Sequence, residues 1–105
     1  MAMPEIRVYP FDENPVGSLP LGAGHEHDVR QMSDKGYEYQ TDVGVVAVFD
    51  LEGSVAGDVW TTIQAGLGPA DAQGVIPAQY NYVRVNGTNA GVLNGAELKI
   101  AGKVL

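Results

Sequence analysis

Two groups of side chains in this sequence have types and spacings that could do chemistry. The first is His25-Glu26-His27-Asp28. Histidines at i and i+2 on a strand share a face and could supply two metal positions, with Glu26 or Asp28 as a third. Two neighbouring histidines underdetermine a metal site, so the plainer reading is a polar strand start after a glycine loop, and no metal is assigned. The second group is Trp60, Tyr80, Tyr82 and Arg84. On a sheet face these could stack on sugar rings, because aromatic side chains combine apolar area with polar tips. They can equally be architecture. Trp60 could fill the core through a bulge, and Arg84 could stack on a tyrosine and pair with an acid. Both readings stay open at this level.

Other catalytic signals are weak. The serines are Ser18, Ser33 and Ser54, each in a turn-like setting and none in a nucleophile elbow. There is no cysteine, so disulfides, zinc–thiolate sites and thiol catalysis are excluded. Asp12, Glu13 and Asn14 are followed at once by Pro15, which fits no EF-hand loop. "GLGPADAQG" does not match a phosphate-binding glycine motif. The expectation is a protein that is not an enzyme and carries no cofactor.

Composition narrows the partners. The chain has 105 residues, 45% of them hydrophobic, enough for one domain spanning 1–105 with one modest core. Thirteen acids against six bases give a net charge of −7, with no basic cluster to hold a phosphate backbone. Nucleic acid is therefore not expected as a partner. The start "MAMPEIRVYP" has no apolar signal core and no stretch reaches membrane-spanning length, so neither secretion nor a membrane partner is expected. Asn86-Gly87-Thr88 matches a glycosylation sequon but reads as a turn.

The elements that must position these residues are short strands. Fourteen glycines and six prolines favour strands and turns over long helices. "PEIRVY" alternates, with Ile6 and Val8 on one face and Glu5, Arg7 and Tyr9 on the other. Residues 10–24 hold too many breakers for a regular element and read as an extended arm or long loop. Its apolar residues Phe11, Val16, Leu19 and Leu21 should lie against something, either the chain's own domain or a neighbouring subunit. "HEHDVRQM" reads as a strand and "SDKG" as a turn. In "YEYQTDVGVVAVFDL", Val43, Val45, Ala47, Phe49 and Leu51 read as core, with Val46 and Val48 partly covered. "DVWTTIQAGL" puts Val59, Thr61, Ile63, Ala65 and Leu67 on one face. "GPADAQG" reads as a loop and "VIPA" as a brief extended piece. "YNYVRVNG" is a strand with Val83 and Val85 toward the core, closed by an Asn86-Gly87 turn. "AELKIAGKVL" ends the chain with Leu98 and Ile100 opposing Glu97, Lys99 and Lys103. The pattern predicts an all-β protein, an antiparallel β-sandwich rather than a closed barrel.

Residues 59 to 87, "VWTTIQAGLGPADAQGVIPAQYNYVRVNG", resemble a pattern in small structural proteins of tailed bacteriophages. Trp60, Thr61, Thr62 and Ile63 match its first part, Gly74 and Ile76 its glycine loop and apolar piece, and Tyr82-Val83-Arg84-Val85-Asn86 its aromatic–arginine strand. The acidic-glycine turn and second tryptophan usual after the first Trp are missing, which weakens a carbohydrate role more than a structural one. The resemblance implies a jelly-roll-like capsid decoration (cement) protein on the outside of an icosahedral shell. Its partners would be the major capsid protein and copies of itself, as a dimer or trimer. The protein would be made in the host cytoplasm and reside on the virion. Phe11, Val16, Leu19 and Leu21 would be arm contacts, and Trp60, Tyr80, Tyr82 and Arg84 a sheet-face interface or ligand site. The alternatives are a carbohydrate-binding or host-attachment module, or a tail or neck component.

Overall fold

The strands form because alternating apolar residues find two faces to bury against. A computed structural model describes residues 3–10, 18–19, 21–41, 45–92 and 96–104, with backbone only for 3–10, 18 and 104. The strands are β1 (Met3–Pro10), β2 (Ser18–Leu19), β3 (Gly22–Ala23), β4 (His27–Asp28), β5 (Met32–Gln40), β6 (Val48–Ser54), β7 (Thr61–Leu67), β8 (Ala72–Val75), β9 (Tyr82–Asn89), β10 (Gly91–Val92) and β11 (Glu97–Val104). No helix occurs among the described residues. The first sheet runs β1-β11-β5-β8 and the second β3-β9-β6-β7, with β4 also on β9; β10 and β2 make a small third pair. All pairings are antiparallel.

One core lies between the two larger sheets. Tyr37, Tyr39, Leu98 and Ile100 come from the first, and Phe49, Leu51, Leu67 and Val83 from the second. The Tyr39 and Phe49 rings meet edge to face, centroids 5.1 Å apart at 85°. The Tyr39 hydroxyl donates to the Gly68 carbonyl at 2.8 Å, and the Tyr37 hydroxyl donates to Gln64 Oε1 at 3.0 Å. Burial raises the pKa of both phenols. The expected alternation is present at Val45, Ala47, Phe49 and Leu51, all buried, although strand pairing begins only at Val48. Val46 is exposed and Val48 half-buried, while Val43 lies outside the described residues.

Several local readings change. "SDKG" is not a turn. It lies inside β5, where Asp34 takes φ 51° and the register slips so that Gly36 pairs Ala101 but Ser33 pairs Lys103. That bulge adds one residue to β5 and brings Lys35 onto the core-facing row with Tyr37 and Tyr39. The turn sits earlier. The Met32 N–H donates to the Val29 carbonyl at 3.1 Å, and the Arg30 N–H to Asp28 Oδ1 at 3.0 Å. Within "HEHDVRQM", only His27–Asp28 and the start of β5 at Met32 are strand. Asn86-Gly87 is not a turn either, because β9 continues to Asn89. Gly87 is buried between Phe49 of β6 and Gly22 of β3. "AQG" belongs to β8 rather than a loop, and its Gly74 lets the strand lie against Tyr37, where a Cβ would come within 2.6 Å of the hydroxyl. In β7 the simple alternation fails, because two register shifts against β6 leave Thr61 and Ala65 exposed and turn Gln64 toward Tyr37.

The described part of the arm lies on its own domain. Ser18–Leu19 pair with β10, Gly22–Ala23 with β9, and the Gly24 N–H donates to the Val85 carbonyl at 2.7 Å. Leu19 joins the core.

Lys35 is 5% exposed, with Nζ 3.4 Å from the Met32 carbonyl and 3.5 Å from that of Ala78, and no carboxylate partner among the described residues. Desolvation lowers its pKa, so the folded state holds this proton less tightly than the unfolded chain. The resulting penalty is complete below the lowered folded value and is relieved as pH rises through it toward the unfolded value of 10.5. Lys35→Met is therefore expected to raise stability at neutral pH by about 1 kcal/mol. Urea unfolding should show this advantage shrinking as pH increases. A variant less stable than wild type at pH 7 would show that the two carbonyl contacts outweigh the desolvation.

Candidate functional site

The outer face of the second sheet collects the aromatic and charged side chains. Period-2 alternation on β9 turns Val83 inward, where it is buried, and leaves Tyr82, Arg84 and Asn86 outward. Register then fixes their neighbours. Arg84 stands opposite Glu52, Asn86 opposite Asp50, and Tyr82 opposite Ser54 on one side and Asp28 on the other.

Arg84 is held from two directions. Its Nε donates to Glu52 Oε1 at 2.8 Å, and its guanidinium carbon lies 4.1 Å from the centroid of Trp60. The pair is mostly buried, with side chains 21% and 12% exposed, so solvent screens it less than a surface ion pair. Asn86 Nδ2 reaches the other carboxylate oxygen of Glu52 at 3.5 Å. Next to this unit Arg30 grips Asp28, with Nε 3.0 Å and Nη2 2.7 Å from Oδ2, and lies 5.6 Å over Tyr82. Hydrogen bonding to the Asp28 carboxylate raises the Arg30 pKa above its already high ordinary value. The loop 55–59 is tied down beside them. The Gly57 N–H donates to Ser54 Oγ at 2.8 Å, and Asn81 Nδ2 donates to the Val55 carbonyl at 2.9 Å.

The four residues singled out from the sequence are thus not one cluster. Trp60, Tyr82 and Arg84 share the outer face, but Arg84 stacks on the tryptophan rather than on a tyrosine, and Trp60 is half-buried outside the core. Tyr80 precedes β9, bonds back to the Pro77 carbonyl at 3.1 Å and packs against the core. A Cβ on Gly53 would come within 2.6 Å of its ring. Of the arm residues, Leu19 is buried and Leu21 exposed, whereas Phe11 and Val16 lie outside the described residues. His25 is exposed and His27 half-buried on β4; among the described residues no group of three His, Asp or Glu side chains could hold a metal ion. Sequence reasoning missed Glu52 and Arg30, and weighed Asp28 only as a metal ligand rather than as the partner of Arg30. Asp28 and Arg30 carry a local signal, an Asp two residues before an Arg at a turn. Glu52 carries none, since it lies 32 residues from Arg84.

Chemically, this face spends its charges on itself. Each of the two arginines has a carboxylate partner and an aromatic ring beside it. Arg84→Ala should cost about 1–2 kcal/mol, because it leaves Glu52 half-buried without its cation and uncovers Trp60. Denaturant unfolding followed by Trp60 fluorescence reads both effects, and an unchanged midpoint would mean the stack carries no stability.

The chain is an all-β protein of antiparallel sheets. Comparison with protein-family models, curated proteins and solved structures finds no match for it.

Proposed function

We propose that this is a non-enzymatic structural protein of a tailed-bacteriophage virion, of the capsid decoration type, which binds the outside of the icosahedral shell and stabilises it. In this reading the two sheets are a jelly-roll-like sandwich and residues 10–24 its arm. The partners are the major capsid protein and further copies of the chain. The supporting observation is the apolar area that the described residues leave exposed. The aromatic–arginine face is closed by its own ion pairs and stacks. Exposed aliphatic side chains remain outside these contacts: Leu21 is 66% exposed, Val46 62% and Val92 44% on the arm, before β6 and on β10, Val55 54% and Val59 78% in the loop beside that face, and Val75 78% on β8. Val92 pairs with Ser18 and the neighbouring Gly91 with Leu19, while a Cβ on Gly91 would lie 3.4 Å from the Val46 carbonyl carbon. Apolar area of this kind, placed around a rigid body, suits an assembly contact.

Purified protein added to undecorated shells should bind stoichiometrically and raise their resistance to heat. Leu21→Asp with Val92→Asp should abolish binding while leaving the melting temperature of the free protein unchanged, since both side chains are solvent-facing. Absence of binding to every capsid form rules the proposal out. A carbohydrate-binding or host-attachment reading rests on Trp60 and Tyr82 sharing one face. It requires a glycan-panel signal that Tyr82→Ala removes without unfolding the protein. A tail or neck component would show the same fold at a different place on the particle.

A further inference from the structure

The two larger sheets present four outer edges among the described residues, and three are unsuited to strand addition. β8 is four residues long, β7 carries two register shifts, and the edge beside β9 is split between β3 and β4. β1 differs. All eight of its residues pair in unbroken register with β11, and among the described residues no strand covers its other side. A long regular edge is a template for another strand.

Hydrogen-bond parity decides which residues face that edge. The Lys35 carbonyl accepts from the Ile76 N–H at 3.0 Å, so odd residues of β5 from 35 onward turn their backbone groups toward β8. Even residues 36, 38 and 40 therefore face β11, where they meet Ala101, Lys99 and Glu97. That leaves 98, 100 and 102 of β11 to face β1, where their partners are Tyr9, Arg7 and Glu5. Even residues of β1 consequently face the free edge. Both prolines of the strand, Pro4 and Pro10, are even. Each sits where its missing N–H costs the sheet nothing, and between them Ile6 and Val8 supply the outward donors.

We infer that the β1 edge binds β1 of a second copy of this chain, antiparallel, about a two-fold axis at Ile6. In this register the two Ile6 residues exchange N–H···O=C bonds. Each Val8 N–H donates to the Pro4 carbonyl of the other copy, while the Val8 carbonyl, facing a proline nitrogen, receives no strand donor in return and is left to solvent. Glu5 of each copy stands directly opposite Arg7 of the other. Opposite charges in directly opposed positions stabilise a pair of strands. Centring on Arg7 instead would oppose arginine to arginine, and like charges so placed are destabilising. The product is one continuous sheet running β8-β5-β11-β1-β1-β11-β5-β8, with an isologous interface that closes on itself as a dimer. This pairing does not depend on the shell-binding reading, and a dimer could form whether or not a capsid is the partner.

Sedimentation of the full chain over about two decades of concentration, up to ~1 mM, tests it. The wild type should shift from monomer to dimer. Ile6→Pro removes an outward donor without touching the β11 ladder, so it should weaken association at least about tenfold with an unchanged β-sheet circular dichroism spectrum. Arg7→Glu opposes Glu to Glu and should weaken it similarly. Combining Glu5→Arg with Arg7→Glu restores opposite charges and should return the affinity to within about threefold of wild type. A chain that stays monomeric throughout overturns the inference, as does a dimer unaffected by Ile6→Pro. Should Ile6→Pro fail to fold, the charge-swap set decides alone. Failure of the double variant, folded, to recover what Arg7→Glu lost overturns the register.

Discussion

Replacing Phe49 by alanine is expected to lower the unfolding free energy by about 3–5 kcal/mol, a large share of the ~5–15 kcal/mol available to a domain of this size. Phe49 is fully buried on β6, between the partner strands β7 and β9, where it stands opposite Leu67 and Gly87. Its ring also meets Tyr39 of the other sheet edge to face at 5.1 Å, so its loss opens a cavity across the layer that joins the two sheets. An edge-to-face pair is worth about 0.5–1.5 kcal/mol beyond the buried area. Little can collapse into the gap, because Gly87 has no side chain and Tyr39 is fixed by its hydrogen bond to Gly68. Urea titration should show a lower midpoint with an unchanged slope. A loss below about 1 kcal/mol would mean that the two sheets do not share this core.

The second large effect comes from a residue with no side chain to lose. Gly68→Ala is expected to cost about 3 kcal/mol or more and to leave little folded protein. Gly68 has φ +152°, a backbone conformation that side chains rarely adopt. A Cβ there would fall well inside contact distance of the Ala47 carbonyl oxygen, 3.0 Å from its carbon and 3.1 Å from Val48 Cα. All of these are backbone atoms, so no rotamer change can make room. The same residue offers the carbonyl that satisfies the buried Tyr39 hydroxyl, which ties the strain to the core. Gly66→Ala is the matched control. Gly66 also has positive φ, +72°, but has nothing within 4 Å of its Cβ position. It should lose only about 1–2 kcal/mol, the intrinsic cost of left-handed backbone. Thermal melts of the two variants separate the steric from the conformational contribution. Equal losses would show that Ala47 can retreat.

Much of the second sheet was legible because its central strands keep period 2. Val45, Ala47, Phe49, Leu51 and Val83 alternate cleanly and are buried, and Leu98 and Ile100 do the same on β11. Where the reading failed, a bulge or a neighbour had intervened. Asp34 and the register shifts of β7 each change which side chains face inward, and "SDKG" looks like a turn because Asp tolerates the same left-handed backbone in both settings. Asn86-Gly87 carries a strong hairpin signal, yet β3 and β6 flank Gly87 and hold it in a strand. The candidate site was half legible. Tyr82 and Arg84 could be placed on one outward row, but nothing local distinguishes Glu52 from the other acids as the partner of Arg84.

Sequence alone establishes that this protein is all-β, which residues anchor its central strands, and that Tyr82 and Arg84 share one outward row of a strand. Those properties follow from period-2 patterning and breaker density, which are local. Tertiary contacts alone set the pairing of Arg84 with Glu52 and Trp60, the burial of Lys35 with no carboxylate partner among the described residues, and the placing of both β1 prolines on an edge that no described strand covers. These depend on strand register. A single inserted residue inverts the faces of everything beyond it, and register is set by partners that lie tens of residues away along the chain.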